Sequence, residues 1–313
     1  MMPTLTELSE LRPLGEGPRT VALIAPAGAV LAERIETTCA LLVQMGYTPQ
    51  LMRHARARHR YLAGTVEQRL EDFHTAFNLP DVAAVWCLRG GYGCAQLMDH
   101  IDWAHLPDVP LLGYSDISVL LSAFHARGRR AIHAPVATEL ALLARANGVE
   151  REARAASMAS IASALAGHGG HMRAEHVSGP ESGVEGVLIG GNLTTLASMA
   201  GTPAALHVPE NAILLLEDVG ERLYRLERSV YQLLTSLDRG RLQGVCLGSF
   251  TDCDTGDSSV ETMLQEWLAP HGTALYHQLP FGHGTHNQAW PVGRTAQLTA
   301  SGLAWSSEGQ ASG

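Results

Sequence analysis

The sequence predicts an α/β protein with two domains and an active site between them. The first domain is predicted to be a parallel-sheet domain of the Rossmann or flavodoxin type, because short continuous apolar runs alternate with amphipathic helical stretches. After a Gly- and Ser-rich break, strands and helices follow in a different pattern, which predicts a smaller C-terminal α+β domain. The length of 313 residues allows one large domain or two ordinary ones.

The first domain, residues 1–165, is predicted from alternating strands and helices. The strands are predicted at 20–28 (with its closing turn), 48–52, 82–88, 110–113 and 131–136, and the helices at 31–45, 66–77, from about 95, and at 116–126. Thr65 and Gln68 have the spacing of a capping box at the start of the second helix. Gly46 ends the first helix.

Residues 166–183 (AGHGGHMRAEHVSGPESG) are rich in Gly, His and Ser and have no apolar period, which predicts a linker. The second domain then occupies residues 184–313. Its strands are predicted at 186–189, 213–216 and 245–250, its helices after Asn192 and at 221–237 and 260–268, and paired strands within 288–305.

Composition limits the function classes. The formal net charge of -9 argues against nucleic acid as a partner, and no basic run suits a membrane surface. The N-terminus lacks the apolar core of a signal peptide, and no apolar run approaches the ~18 residues of a membrane span. Five cysteines without a CxxC spacing indicate reduced thiols. We therefore expect a cytoplasmic protein.

Ser115, in LLGYSDISVL, lies between a predicted strand and a predicted helix. It is either a helix N-cap or a nucleophile. Gly113 permits a tight turn, and the start of a helix favours a developing oxyanion, with the amide of Asp116 as one donor. Gly90 and Gly91, in the RGGYG turn after another strand, offer further exposed amides. The pattern lacks the G-x-S-x-G of ordinary α/β-hydrolases.

A nucleophilic serine needs a base and an acid that orients it. His283 has glycines on both sides, which leaves its imidazole uncovered, although it is one of 15 histidines and a surface-loop role is the alternative. Glu217 and Asp218 follow a buried strand. Since side chains alternate along a strand, only one of these carboxylates points into a given cleft.

Two histidine patterns could suggest a metal instead. His283 and His286 lie three residues apart, and His207 and Glu210 form an HxxE pattern. Pro209 argues against a helix at the second pattern, and helical geometry is what makes that spacing useful. No P-loop spacing is present. The sequence therefore predicts no metal and no cofactor.

Several blocks together resemble the LD-carboxypeptidases, also called muramoyltetrapeptide carboxypeptidases. They run in the family's order from about residue 21 to residue 293: VWCLRGGYG, GYSDISVLLSAF, EGVLIGGNLTTL, ILLLEDVGERLYRLER, LGSFTDC and LPFGHGTHNQAWPVG. The related microcin-immunity peptidases share this scaffold and its triad.

The resemblance implies a serine peptidase with Ser115 as nucleophile, Glu217 as acid and His283 as base. It places the oxyanion donors at the Asp116 amide and in the RGG turn, and the site at the domain interface. It implies hydrolysis of the bond between the L-centre of meso-diaminopimelate (or L-Lys) and terminal D-Ala in murein tetrapeptides. Such recycling takes place in the cytoplasm, and family members commonly form homodimers.

Three further expectations concern the substrate and the alternative functions. The substrate's terminal carboxylate needs a donor, for which Arg89 is the candidate. An alternative function is an immunity-type amidase acting on a peptidyl-nucleotide antibiotic, which needs an aromatic surface for a nucleobase; the aromatic content is only 5%. A non-catalytic muropeptide-binding protein is the remaining alternative.

Overall fold

The computed structural model describes residues 12–15, 20–181, 183–253 and 259–308. In the first half the strands are β1 Thr20–Ile24, β2 Thr48–Leu51, β3 Val82–Cys87, β4 Leu111–Gly113 and β5 Ala131–His133, and the helices are α1 Ala32–Gln44, α2 Val66–Phe77, α3 Ser118–His125, α4 Glu139–Leu143 and α5 Gly148–Leu165. Short 3-10 helices lie at Cys94–His100 and Ser115–Ile117. The capping box at the start of α2 is confirmed, with Gln68 N donating to the Thr65 hydroxyl.

The second half contains the remaining elements. Its strands are β6 Gly170–Arg173, β7 Glu175–Ser178, β8 Val184–Asn192, β9 Ala212–Val219, β10 Leu242–Thr251, β11 Ala274–His277, β12 Trp290–Val292, β13 Thr295–Thr299 and β14 Gly302–Trp305, and its helices are α6 Leu193–Ser198, α7 Leu223–Ser236 and α8 Val260–Leu268. Further 3-10 helices lie at Arg239–Arg241 and Ala269–His271.

The first sheet has six strands in the order β12-β5-β4-β3-β1-β2. Strands β2, β1, β3, β4 and β5 are mutually parallel, which is the flavodoxin-type order. The predicted α/β fold class is therefore confirmed. The carboxyl ends of β3 and β4 meet at one edge, so the RGG turn and Ser115 lie next to each other.

The tail differs from the prediction for residues 288–305. Strands β13 and β14 pair with each other as predicted, but β12 returns to the first sheet and pairs antiparallel with β5. The reason is packing: Trp290 is fully buried, and its ring stacks on His133 at 5.0 Å between centroids. A local pattern does not show which sheet will receive a strand.

The second sheet has eight strands in the order β6-β14-β13-β8-β9-β10-β11-β7. The prediction that 166–183 is only a linker is wrong, because β6 and β7 lie there and form the two opposite edges of this sheet. Edge strands are half exposed and mostly polar, so they lack the apolar run that marks a central strand. The C-terminal unit, predicted to be the smaller, thus contains the larger sheet.

Helix α3 packs between the two sheets. Its residues from Ser118 to Phe124 are all buried, which explains the nearly continuous apolar run SVLLSAF. The Ser118 hydroxyl accepts a hydrogen bond from Asn192 N at the end of β8, at 3.0 Å. This contact brings the carboxyl ends of the central strands of both sheets to one cleft. Among the helices of the described residues, none has the length and apolar character needed to cross a bilayer.

Candidate active site

Ser115 lies in a strained turn at the end of β4. Its backbone φ is +65°, a region that residues with a side chain rarely adopt. The strand ends at Gly113, where a Cβ would lie 3.0 Å from side-chain carbons of Ile117, so the tight turn requires glycine. Backbone strain of this kind persists where the surrounding structure fixes it and is concentrated at functional sites.

The structure does not use Ser115 as the helix cap. The N-cap position of α3 is Ile117, and no side-chain hydrogen bond caps the helix. The Ser115 side chain instead lines a cavity of about 710 Å³, together with Gly90, Gly91 and His283. The interpretation of this serine as the cap of α3 therefore does not hold, and its side chain is available to a ligand in the cavity.

The RGG turn lies directly against Ser115. A Cβ on Gly90 would lie 2.8 Å from the Ser115 Cβ and 3.0 Å from its Oγ. Gly91 has a φ of +107°, and a Cβ there would overlap the Tyr61 hydroxyl. Gly90 therefore lies against the Ser115 side chain, and the amides of Gly90 and Gly91 remain candidate oxyanion donors.

Two buried side chains that sequence analysis missed fix this turn. Arg69, only 1% exposed, donates to the carbonyls of Pro26 at 2.7 Å and Gly93 at 2.8 Å. Asp116 Oδ2 accepts from Cys94 N at 2.9 Å. The turns after β1, β3 and β4 are therefore tied together. No local pattern distinguishes Arg69 from the other arginines of amphipathic helices.

His283 and Glu217 form a hydrogen-bonded pair. Nδ1 of His283 lies 2.6 Å from Glu217 Oε2, and the His283 backbone N–H donates to the same oxygen at 3.2 Å. Glu217 is fully buried. This hydrogen bond leaves Nε2 as the ring nitrogen that can accept a proton from the cavity. A Cβ on Gly282 would lie 2.6 Å from the Glu217 Cβ, which explains the glycine before the histidine.

The loop that carries His283 is fixed by side chains outside the triad. Ser249 Oγ accepts from Gly284 N at 2.9 Å, and Asn287 Oδ1 accepts from Gly282 N at 2.9 Å. Asn287 N in turn donates to Ser157 Oγ on α5 at 2.8 Å. Ser249 and Asn287 lie inside the LGSF and GHGTHN blocks, and this was the signal available in the sequence.

Asp218 faces a different set of partners from its neighbour Glu217. Its carboxylate accepts hydrogen bonds from the Thr194 backbone at 2.9 Å and hydroxyl at 2.7 Å, and from Asn192 Nδ2 at 3.0 Å. It therefore fixes the start of α6 and does not contact the imidazole ring. The alternation predicted along β9 separates the two carboxylates, and Glu217 is the one on His283.

The pKa of His283 lies above its ordinary value. Burial lowers it, but the hydrogen bond that the ring donates to Glu217 and the negative charges of Glu217, Asp218 and Glu139 raise it further than burial lowers it. The sign of this balance was left open by the sequence. A raised pKa makes His283 a stronger base toward a hydroxyl proton.

Arg89 lines the same cavity but is partly engaged. Its Nη1 donates to the Ala29 carbonyl at 2.7 Å, and its guanidinium lies 5.5 Å from the centroid of the Tyr61 ring. Arg34 and Arg154 also line the cavity, so the structure offers three cations where sequence analysis named one.

The residues of the two candidate metal patterns contact other side chains of the protein. Glu210 forms an ion pair with Arg241 at 3.0 Å, and the His207 ring contacts His125 at 5.9 Å. The Nδ1 of His283 is taken by Glu217, and His286 carries a pKa lowered by burial. Among the residues that the structure describes, no three His, Cys, Asp or Glu side chains are grouped so that they could hold a metal ion.

Models of one protein family match both halves of the chain. Residues 21–134 match the LD-carboxypeptidase N-terminal domain, and residues 185–298 match the LD-carboxypeptidase C-terminal domain. The murein tetrapeptide carboxypeptidase of Pseudomonas aeruginosa is 53% identical over 290 residues, covering 91% of this chain and 94% of that protein. A probable murein peptide carboxypeptidase of Bacillus subtilis is 29% identical, covering 89% and 88%.

Solved structures show the same fold. The muramoyltetrapeptide carboxypeptidase of Oxalobacter formigenes superposes with a TM-score of 0.78 at 28% identity, covering 91% of this chain and 97% of that one. The microcin C7 self-immunity protein MccF superposes with a TM-score of 0.82 at 16% identity, covering 95% and 98%. At that identity the second likeness concerns the fold alone.

Proposed function

The chain belongs to the LD-carboxypeptidase family, and on this premise we propose that Ser115, His283 and Glu217 are its catalytic triad. It is a carboxypeptidase that hydrolyses the bond between the L-centre of meso-diaminopimelate (or L-Lys) and the terminal D-Ala of murein tetrapeptides. The observation that carries the proposal is the 2.6 Å contact between His283 Nδ1 and Glu217, with Ser115 and His283 lining one cavity.

The proposed mechanism follows from this arrangement. The Ser115 hydroxyl attacks the scissile carbonyl while His283 Nε2 takes its proton, and Glu217 stabilises the resulting imidazolium. The carbonyl oxygen becomes an oxyanion facing the amides of Asp116 and of the RGG turn. His283 then protonates the departing amine of D-Ala, which leaves an acyl-enzyme on Ser115. A water molecule, deprotonated by His283, releases the shortened peptide.

The setting of the reaction is also proposed. Murein tetrapeptides released during wall turnover are small, anionic and recycled in the cytoplasm, so we place the enzyme there, acting as a homodimer on free muropeptides. Support comes from the family and from the formal charge of -9, which suits neither nucleic acid nor an anionic membrane surface.

The cavity does not favour the antibiotic amidase. Within the described part of the chain, the cavity lining contains one phenol or phenyl ring, Tyr114, and that ring already packs on His283 with 4.7 Å between centroids. Among the described side chains that line the cavity, none therefore offers a nucleobase an open aromatic face of the kind the immunity-type reaction needs. The carboxypeptidase reading remains the one supported by the 53% identical relative.

Release of D-alanine from a purified murein tetrapeptide tests the proposed function. The wild-type protein should release it, and Ser115→Ala should not, since loss of a triad nucleophile costs on the order of 10⁶ in kcat in worked protease cases. The variant should also keep its fold, checked by circular dichroism. If wild type leaves the tetrapeptide intact but hydrolyses a peptidyl-nucleotide, the substrate assignment is wrong.

A further inference from the structure

Glu139 and Arg154 are two of the charged cavity-lining side chains to which the triad gives no role. Glu139, the first residue of α4, is only 8% exposed, and Arg154, on α5, has a side chain that is 17% exposed. Both line the cavity that contains Ser115 and His283. Sequence analysis assigned no role to either.

The Glu139 carboxylate has open acceptor positions. Its Oε1 is buried and, within the described residues, has no hydrogen-bond partner. Its Oε2 lies 3.9 Å from Arg154 Nη1, which is too far for a hydrogen bond. Burial raises the pKa of Glu139, while an interaction with the Tyr114 phenol and the charge of Arg154 oppose that rise. An incompletely paired buried carboxylate is costly, so a cationic ligand that completes its pairing is favoured.

Arg154 is likewise only partly paired. Its Nε lies 2.8 Å from Glu150 Oε1, which fixes the side chain by one nitrogen. Arg154 lines the cavity, and among the described residues its Nη1 has Glu139, 3.9 Å away, as an ion-pair partner. A guanidinium presented in this way matches a carboxylate. The Glu139 carboxylate and the Arg154 guanidinium lie side by side. They therefore offer complementary positions to a ligand that carries both an ammonium and a carboxylate.

Glu139 and Arg154 are connected to the reacting bond through Tyr114. The phenol of Tyr114 interacts with Glu139, and Tyr114 directly precedes Ser115. Its ring centroid lies 4.7 Å from that of His283. Tyr114, the residue beside the nucleophile, therefore connects Glu139 to the ring of the base. In diaminopimelate, the D-centre lies at the far end of the side chain whose L-centre carries the scissile carbonyl.

We propose that Glu139 and Arg154 form a subsite for the zwitterionic D-centre of diaminopimelate, with Glu139 taking its ammonium and Arg154 its carboxylate. The proposal rests on the proposed function. It makes the enzyme selective for diaminopimelate over lysine, because a lysine side chain supplies the ammonium alone and leaves Arg154 without its partner.

Three tetrapeptides that differ only at the third residue test the subsite. The first contains meso-diaminopimelate, the second its D-centre carboxamide, and the third norleucine. The carboxamide retains the ammonium and loses the carboxylate, while norleucine loses both. For wild type, kcat/KM should fall about ten- to a hundredfold at each step, because each step removes a charged hydrogen bond.

The variants assign each charge to its partner. Arg154→Met should lower kcat/KM for the diaminopimelate peptide to near the carboxamide value and change the carboxamide and norleucine rates little. Glu139→Gln should lower the rates for both ammonium-bearing peptides by a clearly larger factor than the rate for the norleucine peptide, whose smaller loss reflects the charge that Glu139 places near His283. Glu152→Gln, an exposed change on α5, and Arg145→Met, an exposed arginine paired with Glu33, are matched controls and should keep the wild-type ranking.

The outcomes separate this proposal from the proposed function. If wild type cleaves none of the three peptides, the proposed function fails. If wild type cleaves all three equally, or if either variant lowers all three rates in parallel, the subsite is refuted and Glu139 only supports Tyr114 and His283. Should Glu139→Gln fail to fold, the selective loss in Arg154→Met decides the matter alone.

Discussion

Gly90→Ala is the substitution that most directly tests the arrangement of the RGG turn and Ser115. The added Cβ would lie 2.8 Å from the Ser115 Cβ, 3.0 Å from its Oγ and 3.1 Å from the Tyr114 carbonyl oxygen. Ordinary contact begins at 3.4 Å, so the atoms must separate by about 0.6 Å at the closest point. Ser115 already has a φ of +65°, so its turn has little freedom to move without moving the hydroxyl.

The expected magnitude follows from that displacement. Misplacing a reacting group by about 1 Å costs on the order of 10²-fold in rate, and a disturbed oxyanion donor costs about 10²- to 10³-fold. We therefore expect kcat for D-alanine release to fall about 30- to 300-fold, with a smaller change in KM. Overpacking should also cost about 1–3 kcal/mol of stability, which lowers Tm by several degrees.

The assay is steady-state release of D-alanine from the tetrapeptide, with a thermal melt of each protein. Gly240→Ala is the matched control, because Gly240 is exposed and a Cβ there would meet only Asp238 Oδ1, at 3.3 Å. It should keep both kcat and Tm. A Gly90→Ala enzyme with kcat within threefold of wild type would show that the RGG turn does not bear on the nucleophile.

Three further predictions concern the acid, the base and metal. Glu217→Gln should lower kcat by several powers of ten, because an amide neither stabilises the imidazolium nor fixes its tautomer. Asp218→Asn should lower kcat far less. If a kinetic comparison gives the reverse ranking, the roles of the two carboxylates are exchanged. Since His283 must be neutral to act and its pKa is raised, kcat/KM should fall as pH drops through a value above the ordinary ~6.5 and level off at higher pH; a flat profile from pH 5 to 9 would remove His283 as the base. Activity should survive EDTA, because the nucleophile is a serine hydroxyl; loss on chelation with recovery on adding zinc would support one of the two metal patterns, His207 with Glu210 or His283 with His286, instead.

The sequence predicted the fold class and the candidate triad because both depend on local features. Apolar runs that end in glycine mark strands buried on both faces, and most of the first sheet follows from them. The glycines at positions 90, 113 and 282 are required by close approaches of the backbone, so the chemistry-bearing turns left a visible trace in the sequence. The family resemblance rests on these same turns.

Other features depended on contacts between residues far apart in the chain. The edge strands β6 and β7 were mistaken for a linker, since an edge strand receives its hydrogen bonds from a sheet that its own residues do not reveal. Strand β12 joined the first sheet because Trp290 stacks on His133.

The site shows the same division between local pattern and tertiary contact. The local pattern places Glu217 and Asp218 at a strand end without separating them, and the family resemblance names Glu217 as the acid. The structure supplies the physical reason, because Glu217 contacts a loop 66 residues further on while Asp218 is held by the start of α6. Arg69, Glu139 and Arg154 carry no local signature, because an amphipathic helix shows which face is buried and not which distant groups that face will meet. The sequence by itself therefore determined most of the central elements and the reactive residue types, and tertiary packing decided the edge strands, the partners of the side chains, their protonation and the shape of the cavity.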